Sequence, residues 1–234
     1  MNKIDTLNKY TFDKALTVEI VDLKEIHDET IPAWWKNVFS QEDNNSRIEC
    51  LIKHWEEILG TEMRNTIMYF KEFLKNIELM KLGNKYFILY SIKSLKSDEI
   101  LFYTGGNPLE KNFSDKTELK CDWDRVPERL KLFYEELHDG FYYFPSRGMG
   151  IDSIDNVTYL DEDEWGIIEE LDEPIEINLK SSYGFFSNGA GSYVVIDIAD
   201  CKNDKAILWS AKTAPDYDLN FWDVVDEWTV IGFD

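Results

Sequence analysis

The chain places a histidine beside an aspartate just before a glycine-rich stretch, a combination that can support catalysis. The segment FYEELHDGFYYFPSRGMG covers residues 133–150 and contains His138, Asp139 and Ser146. A histidine oriented by an aspartate can activate a nucleophilic serine, and a glycine-rich loop at the start of a helix can hold a phosphate group. These residue types therefore raise the question of an active site.

The residues around this segment favour a structural role. Residues 122–140 have the apolar period of a helix, with Pro127 where a missing N–H costs nothing. His138 would lie in the last turn, where a cation suits the helix dipole, and Gly140 would cap the end. Ser146 is separated from the pair by an aromatic strand, and the glycines that follow lack the rest of a phosphate-binding motif. We therefore expect no catalytic residue here.

A second group of residues that could do chemistry is the stretch DEDEWGIIEELDEPIE, which begins at Asp161 and holds nine acids and no base. Asp161, Asp163 and Gly166 match positions 1, 3 and 6 of a calcium-binding EF-hand loop. However, Trp165 occupies position 5, where an oxygen ligand is required, and Asp172 replaces the glutamate at position 12. Nothing in the stretch selects two carboxylates for glycoside hydrolysis. We expect neither a metal nor a cofactor, which leaves a solvated acidic face or a docking surface for a basic partner.

Composition limits the classes of partner. The 234 residues carry a formal net charge of −21, and the isoelectric point is near 4.5. Such a charge repels nucleic acid and anionic membranes and speeds the encounter with a basic protein. The three cysteines show no zinc or disulfide spacing, and the sequence has neither a signal-peptide pattern nor an apolar run long enough to cross a bilayer. The sequence thus predicts a cytoplasmic protein that binds neither nucleic acid nor membranes.

The elements that must position these residues begin with two helices and a β-hairpin. Residues 47–59 and 65–80 have apolar side chains at the i, i+3, i+4, i+7 spacing of amphipathic helices. Residues 86–92 and 100–103 are aromatic and β-branched, which is typical of paired strands. Of the adjacent pair Trp34–Trp35, one ring is expected in the core, because neighbouring side chains on a helix point in different directions.

The polar residues 107–120 are the best linker candidate and divide the chain into regions 1–115 and 116–234. The second region is predicted to contain a helix at 122–140, a short strand at 157–160, two paired strands at 192–198 and 206–209, and a final short helix at 220–228.

Several short motifs in the second region resemble a known superfamily. They are Val126–Pro127, the aromatic pair Phe133–Tyr134, Asp139–Gly140, and a strand with Gly191, Tyr193, Ile196 and Asp197. This pattern resembles the SUKH superfamily, which includes fungal cell-wall-assembly regulators and many bacterial immunity proteins. The family usually has asparagine where this chain has Asp139. The resemblance implies an α+β fold, a mostly antiparallel sheet with helices packed beside it in the C-terminal half, here preceded by the helical region and its hairpin.

The resemblance also implies a function without catalysis. Bacterial members of the family neutralise toxin domains, often nucleases, by binding them. Nucleases need basic surfaces for phosphate, and a strongly acidic protein is complementary to such a surface. We therefore expect a non-enzymatic immunity protein that binds a cognate basic toxin domain. A regulatory or scaffold protein of the same superfamily and an acidic hydrolase are the alternatives.

The partner is expected to contact the acidic stretch. Its carboxylates would imitate phosphate groups, and its tryptophan would serve as a buried anchor of the complex. The predicted contact residues are Asp161, Glu162, Asp163, Glu164, Trp165 and Glu169.

Overall fold

The chain forms one large antiparallel sheet with helices packed against it, in a computed structural model that describes residues 3–11, 13–27 and 29–234. The α-helices in this part of the chain are α1 Lys3–Lys9, α2 Ala33–Phe39, α3 Asn44–Leu59, α4 Arg64–Phe73, α5 Thr117–Asp122, α6 Glu128–Leu132 and α7 Phe221–Gly232. The strands are β1 Val18–Ile20, β2 Leu74–Leu82, β3 Lys85–Lys93, β4 Ile100–Gly106, β5 Phe141–Tyr143, β6 Gly148–Ile151, β7 Thr158–Tyr159, β8 Ser182–Ser187, β9 Ser192–Asp197, β10 Lys205–Ser210 and β11 Asp216–Asn220. The predicted α+β fold class is confirmed.

The strands follow one another across the sheet almost in sequence order. The order is β1-β2-β3-β4-β5-β6-β8-β9-β10-β11, and β7 pairs with β8 beside β6. In the middle, β4 pairs with β5 through Thr104 and Tyr142, so regions 1–115 and 116–234 share one ladder. They also share one core, which runs from Ile31 to Phe233. The sheet and the core therefore continue across the predicted boundary. The division of the chain into two regions stays a prediction.

Several predicted elements are confirmed. The helix predicted at 47–59 is α3, which buries Leu51, Ile52, Trp55 and Leu59 along one stripe. The hairpin predicted around residue 95 is formed by β3 and β4, and the final helix is α7.

The second predicted helix is half wrong, because helix α4 changes directly into strand β2 at Leu74. Strand β2 buries apolar side chains on both faces: Ile77 and Leu79 join the main core, whereas Met80 and Leu82 join a smaller cluster on the other side. A strand covered on both sides loses the strict alternation of a half-buried strand, and its apolar spacing then resembles that of a helix.

Helix α4 begins at a carboxylate supplied by helix α7. Asp226 Oδ1 accepts a hydrogen bond from the Thr66 N–H and Oδ2 accepts one from the Asn65 N–H, each at 2.8 Å. The first N–H groups of a helix have no partner within the helix, so a buried carboxylate at this position satisfies two of them and favours the helix dipole. The two helices are thereby fixed to each other.

The two faces of the sheet are covered differently. Helices α2, α3, α4, α6 and α7 cover the inner face and form the main core. The outer face carries two separate apolar clusters, one under α1 at strands β2 and β3, and one over strands β9 and β10. Between these two covers, the middle of the outer face is left open. The cleft described below lies in this opening.

Candidate functional site

The histidine that raised the question of catalysis lies inside the main core. Helix α6 ends in a π-helical turn, Phe133–Leu137, and His138 follows in an extended conformation with its side chain fully buried. Its position in a last helical turn, where a charged imidazole would suit the dipole, is therefore a wrong prediction. Gly140 does take the positive φ, 84°, that was expected of it.

Both ring nitrogens of His138 already have partners. Nδ1 lies 3.2 Å from the Gly106 carbonyl oxygen, which can only accept, so Nδ1 carries the proton. Nε2 therefore accepts a hydrogen bond from the Tyr90 hydroxyl at 2.7 Å, and that hydroxyl accepts one from Trp55 Nε1 at 3.0 Å. Burial lowers the pKa of His138 to about 3, so the ring is neutral. This is a saturated structural network with no nucleophile in it.

The acidic stretch forms a cover over strands β9 and β10, and we call residues 161–177 the acidic segment. Its apolar side chains point inward. Trp165 packs edge-on against Trp209, with ring centroids 5.5 Å apart, and its Nε1 donates a 2.7 Å hydrogen bond to the Leu160 carbonyl. Ile168 and Ile175 pack on the same cluster, so the segment is fixed to the sheet by its own hydrophobic residues.

The position of Trp165 corrects its predicted role. The side chain is only 9% exposed and lies beneath the acidic segment, so in the free protein it does not project toward a partner. It anchors the segment instead. A tryptophan in an otherwise polar, acidic run is better explained by the apolar surface that it must cover, since a large ring buries more area than any other side chain.

The acids of the acidic segment all face solvent. The five predicted contact acids are exposed and so are the other four: Asp161, Glu162, Asp163, Glu164, Glu169, Glu170, Asp172, Glu173 and Glu176. None of these nine acids forms an ion pair within the described residues 3–11, 13–27 and 29–234. Ion pairs do occur elsewhere, as between Lys205 and Asp200. The segment thus presents unneutralised negative charge on a backbone held by its buried side.

A polar cleft opens beside this segment in the uncovered middle of the outer face. It has two lobes that share Tyr142, Arg147 and Asn156. Lobe 1, with a volume of about 400 Å³, is bordered by the cluster under α1 and contains Asp139 and Lys85. Lobe 2, of about 360 Å³, is lined by Asp152, Ser187 of β8, Tyr193 of β9, and residues of the turns that adjoin them.

The floor of lobe 2 depends on close backbone contact between two hairpin turns. A side chain at Gly148, at the start of β6, would meet the backbone of Gly189 in the β8–β9 turn at 2.7 Å. Arg147 and Met149 on either side have positive φ angles of 55° and 50°, which are uncommon for residues with a side chain. This tight turn places Arg147 at the junction of the two lobes.

Two aspartates in the cleft are more than nine-tenths buried. Asp139 Oδ1 accepts a 2.9 Å hydrogen bond from the Ile154 N–H, and burial raises the pKa of this carboxyl to about 6. Asp152 Oδ1 accepts a 3.3 Å hydrogen bond from the Ser187 hydroxyl, and burial raises the pKa of Asp152 well above its usual range. Desolvation disfavours a charged carboxylate unless a cation or several donors compensate for it.

Tyr193 connects lobe 2 with the acidic segment. Its ring packs edge-on against Trp165 at 5.9 Å, and its own side chain is half-buried. The pKa of Tyr193 is raised first by burial and then by the negative charges of Asp163 and Asp152. Through the contact between Trp165 and Tyr193, the acidic segment adjoins lobe 2.

This cleft is not among the sequence predictions. No sequence pattern marks Asp152 or Ser187, and the pattern around Asp139 predicts only a helix end. Their shared feature, burial without a cation, depends on the pairing of β5, β6 and β8 and has no signature in a single sequence. Within the described residues, no three histidine, cysteine or acidic side chains are placed to hold a metal ion, and no helix has the length and apolar character needed to cross a bilayer.

Comparison with protein-family models, with curated proteins and with solved structures gives no match. The resemblance to the SUKH superfamily therefore rests on the sequence motifs alone and stays a prediction.

Proposed function

We propose that this chain is a non-catalytic binding protein of the immunity type, which neutralises a basic toxin domain by direct contact. The observation that carries the proposal is the acidic segment, which exposes nine acids with no ion-pair partner among the described residues. A protein surface that only needs to be soluble can mix both signs of charge. One that must meet a basic surface benefits from a single sign.

The segment combines long-range and short-range features of a docking surface. Electrostatic attraction acts over about 8 Å at physiological salt and accelerates the encounter. Because Trp165 and the isoleucines hold the segment on the sheet, less conformational freedom is lost on binding than in a flexible acidic tail. Tyr193, half-buried beside Asp163, replaces Trp165 as the aromatic side chain that a partner can reach.

The absence of catalysis is part of the proposal and is supported by the histidine network. A general base must reach the proton that it removes, yet His138 is fully buried and both of its nitrogens are engaged. Its low pKa follows from the same burial. The residue types that suggested an active site thus have a complete structural explanation.

Co-expression tests the proposal directly. The chain is produced together with a candidate toxin, namely the C-terminal domain of any large secreted protein that is found to be encoded beside its gene, and the growth of the host is measured. We expect protection, and we expect it to fall when Asp161, Glu162, Asp163, Glu164 and Glu169 are all changed to lysine. The matched control changes five exposed acids elsewhere to lysine, namely Glu25, Glu42, Glu49, Glu72 and Asp115.

The two variants have the same net charge, so they separate a local surface from a general effect. Loss of protection in the segment variant alone supports the proposal. Full protection by the segment variant, or equal loss in both variants, contradicts it. If no toxin gene adjoins this one and the wild-type chain protects against nothing, the regulatory or scaffold alternative replaces the immunity function.

A further inference from the structure

We propose that lobe 2 of the cleft is a binding site for a guanidinium group, and that the basic partner inserts an arginine side chain there. The second half of this statement rests on the proposed function, whereas the first half concerns the chain alone. The proposal rests on the position of Asp152, on the residues around it, and on the contact between Tyr193 of the lobe and Trp165 of the acidic segment.

Asp152 has an unused hydrogen-bonding atom that borders the cleft. The residue is 6% exposed, its Oδ1 is bound by the Ser187 hydroxyl, and Oδ2 receives no hydrogen bond from any residue that the structure describes. A hydrogen-bonding group that enters lobe 2 can donate to this oxygen, and a carboxylate binds a positively charged donor more strongly than a neutral one.

The surroundings of Asp152 favour a planar organic cation over a metal ion. No group of three potential metal ligands is found among the described residues, so a metal would lack a coordination shell. A guanidinium has five N–H donors in one plane, which suit a carboxylate together with neighbouring hydroxyl and amide oxygens. Lobe 2 offers Ser146, Asn156 and Thr158 for this purpose, and the Tyr193 ring for stacking.

The lobe is large enough for such a side chain and accessible from the acidic segment. Its volume of about 360 Å³ falls in the range of ligand pockets. Tyr193 lines the lobe and packs against Trp165 of the acidic segment, so a cation that is attracted to the segment arrives next to lobe 2. Arginine is enriched among the residues that dominate protein interfaces.

Arg147 borders the same lobe but does not occupy the proposed site. It stands at the junction with lobe 1, beside Tyr142, whose pKa it lowers against the larger effect of burial. The Ser187 hydroxyl binds Asp152 through Oδ1, which leaves Oδ2 on the side of the lobe. The position next to Asp152 Oδ2 is therefore open to a second guanidinium.

The test uses the whole chain and propylguanidinium, a small compound that carries only the proposed group. The ¹⁵N-labelled protein is titrated and followed by NMR. We expect saturable shifts at the amides of Asp152, Ser187 and Tyr193, with a dissociation constant on the order of millimolar, as suits so small a ligand. Asp152→Asn should weaken binding by at least about tenfold, because a charge-assisted hydrogen bond becomes a neutral one.

Two controls keep the outcome clear. Asp115→Asn makes the same change in charge at an exposed site and should leave binding unchanged. The same titration with inorganic phosphate in place of propylguanidinium should produce no saturable shift at these amides. The other titratable side chains that line lobe 2 are Arg147, Tyr142 and Tyr193, with Asp163 beside Tyr193.

The inference is overturned if propylguanidinium produces no saturable shift in lobe 2, or if Asp152→Asn binds it as well as the wild type does. It is also overturned if inorganic phosphate shifts these amides instead, which would make Arg147 the ligand-binding group. Neither result affects the co-expression test, so failure of this site and failure of the immunity function remain distinguishable. For the partner itself, Asp152→Asn should weaken toxin affinity by about tenfold, and unchanged affinity would exclude the inserted arginine.

Discussion

Replacing Asp139 by asparagine should stabilise the protein at neutral pH while leaving it unchanged in acid. The side chain is 6% exposed, and its one hydrogen bond comes from the Ile154 N–H. Asparagine has the same shape and keeps an acceptor oxygen for that N–H, so the substitution removes the charge and little else.

The magnitude follows from the change in pKa. Burial raises the pKa of Asp139 from 3.8 to about 6, with a smaller contribution from the negative charge of Asp155. A shift of about two units corresponds to about 3 kcal/mol. Between these two pKa values the folded protein binds more protons than the unfolded chain, so stability falls as pH rises through this window. The charged carboxylate therefore lowers the free energy of unfolding by the full amount above about pH 7 and does not lower it below about pH 4.

Urea denaturation of the wild type and the variant across this pH range is the suitable assay. Other groups titrate in the same window, notably His138, whose pKa is lowered by burial and whose effect on stability has the opposite sign. These contributions cancel in the difference between the two proteins. That difference should rise from near zero in acid to about 3 kcal/mol in favour of the variant at neutral pH.

Asp155→Asn provides a neighbouring control of opposite sign. Burial raises the pKa of Asp155, but hydrogen bonds from Ser153 and Lys85 outweigh burial and hold the pKa below its ordinary value. This substitution should therefore cost stability at neutral pH. The reasoning about Asp139 is refuted if Asp139→Asn is no more stable than the wild type at neutral pH, or if the difference between them does not vary with pH.

Three further substitutions test the described network and the acidic segment. Tyr90→Phe should cost about 2–4 kcal/mol in urea denaturation, because His138 Nε2 and Trp55 Nε1 both lose their partner; a cost below about 0.5 kcal/mol would contradict the hydrogen-bond assignment. Gly105→Ala places a methyl group 2.4 Å from the His138 ring, so it should lower the free energy of unfolding by about 2–3 kcal/mol and thereby lower the melting temperature. Trp165→Ala should lower the local stability of the acidic segment by about 3–5 kcal/mol and speed amide hydrogen exchange in residues 161–177. Unchanged exchange there would show that other residues hold the segment.

The parts of the fold that could be predicted are those with one buried face. Helix α3 and helix α7 each show a clear stripe, and β3, β4 and β9 are rich in aromatic or β-branched residues. Strand β2 could not be distinguished from a helix because its apolar residues lie on both faces. Strand β8, SYGFFS, has no counterpart among the predicted strands, since glycine and two serines dilute its apolar pattern.

The candidate site was predictable only in its charge. The acids at 161–164 and Glu169 are exposed, as a docking surface requires, and their sequence signal is simply their number. The direction in which Trp165 points depends on a partner from β10, Trp209, which is distant in the sequence. The environment of Asp152 likewise depends on Ser187, which β8 brings to the end of β6. Long-range pairing of this kind leaves no local pattern.

The carboxylate that begins helix α4 has a consequence for synthesis of the protein on the ribosome. Asp226 follows its two hydrogen-bond donors by 161 and 160 residues, so nearly the whole of the described chain is translated before α4 receives its cap. Until then, α4 carries unsatisfied N–H groups, and the core ring of Phe70 lacks its neighbour Phe233. Folding dominated by such distant contacts is slow. The complete fold is therefore acquired only once α7 has left the exit tunnel.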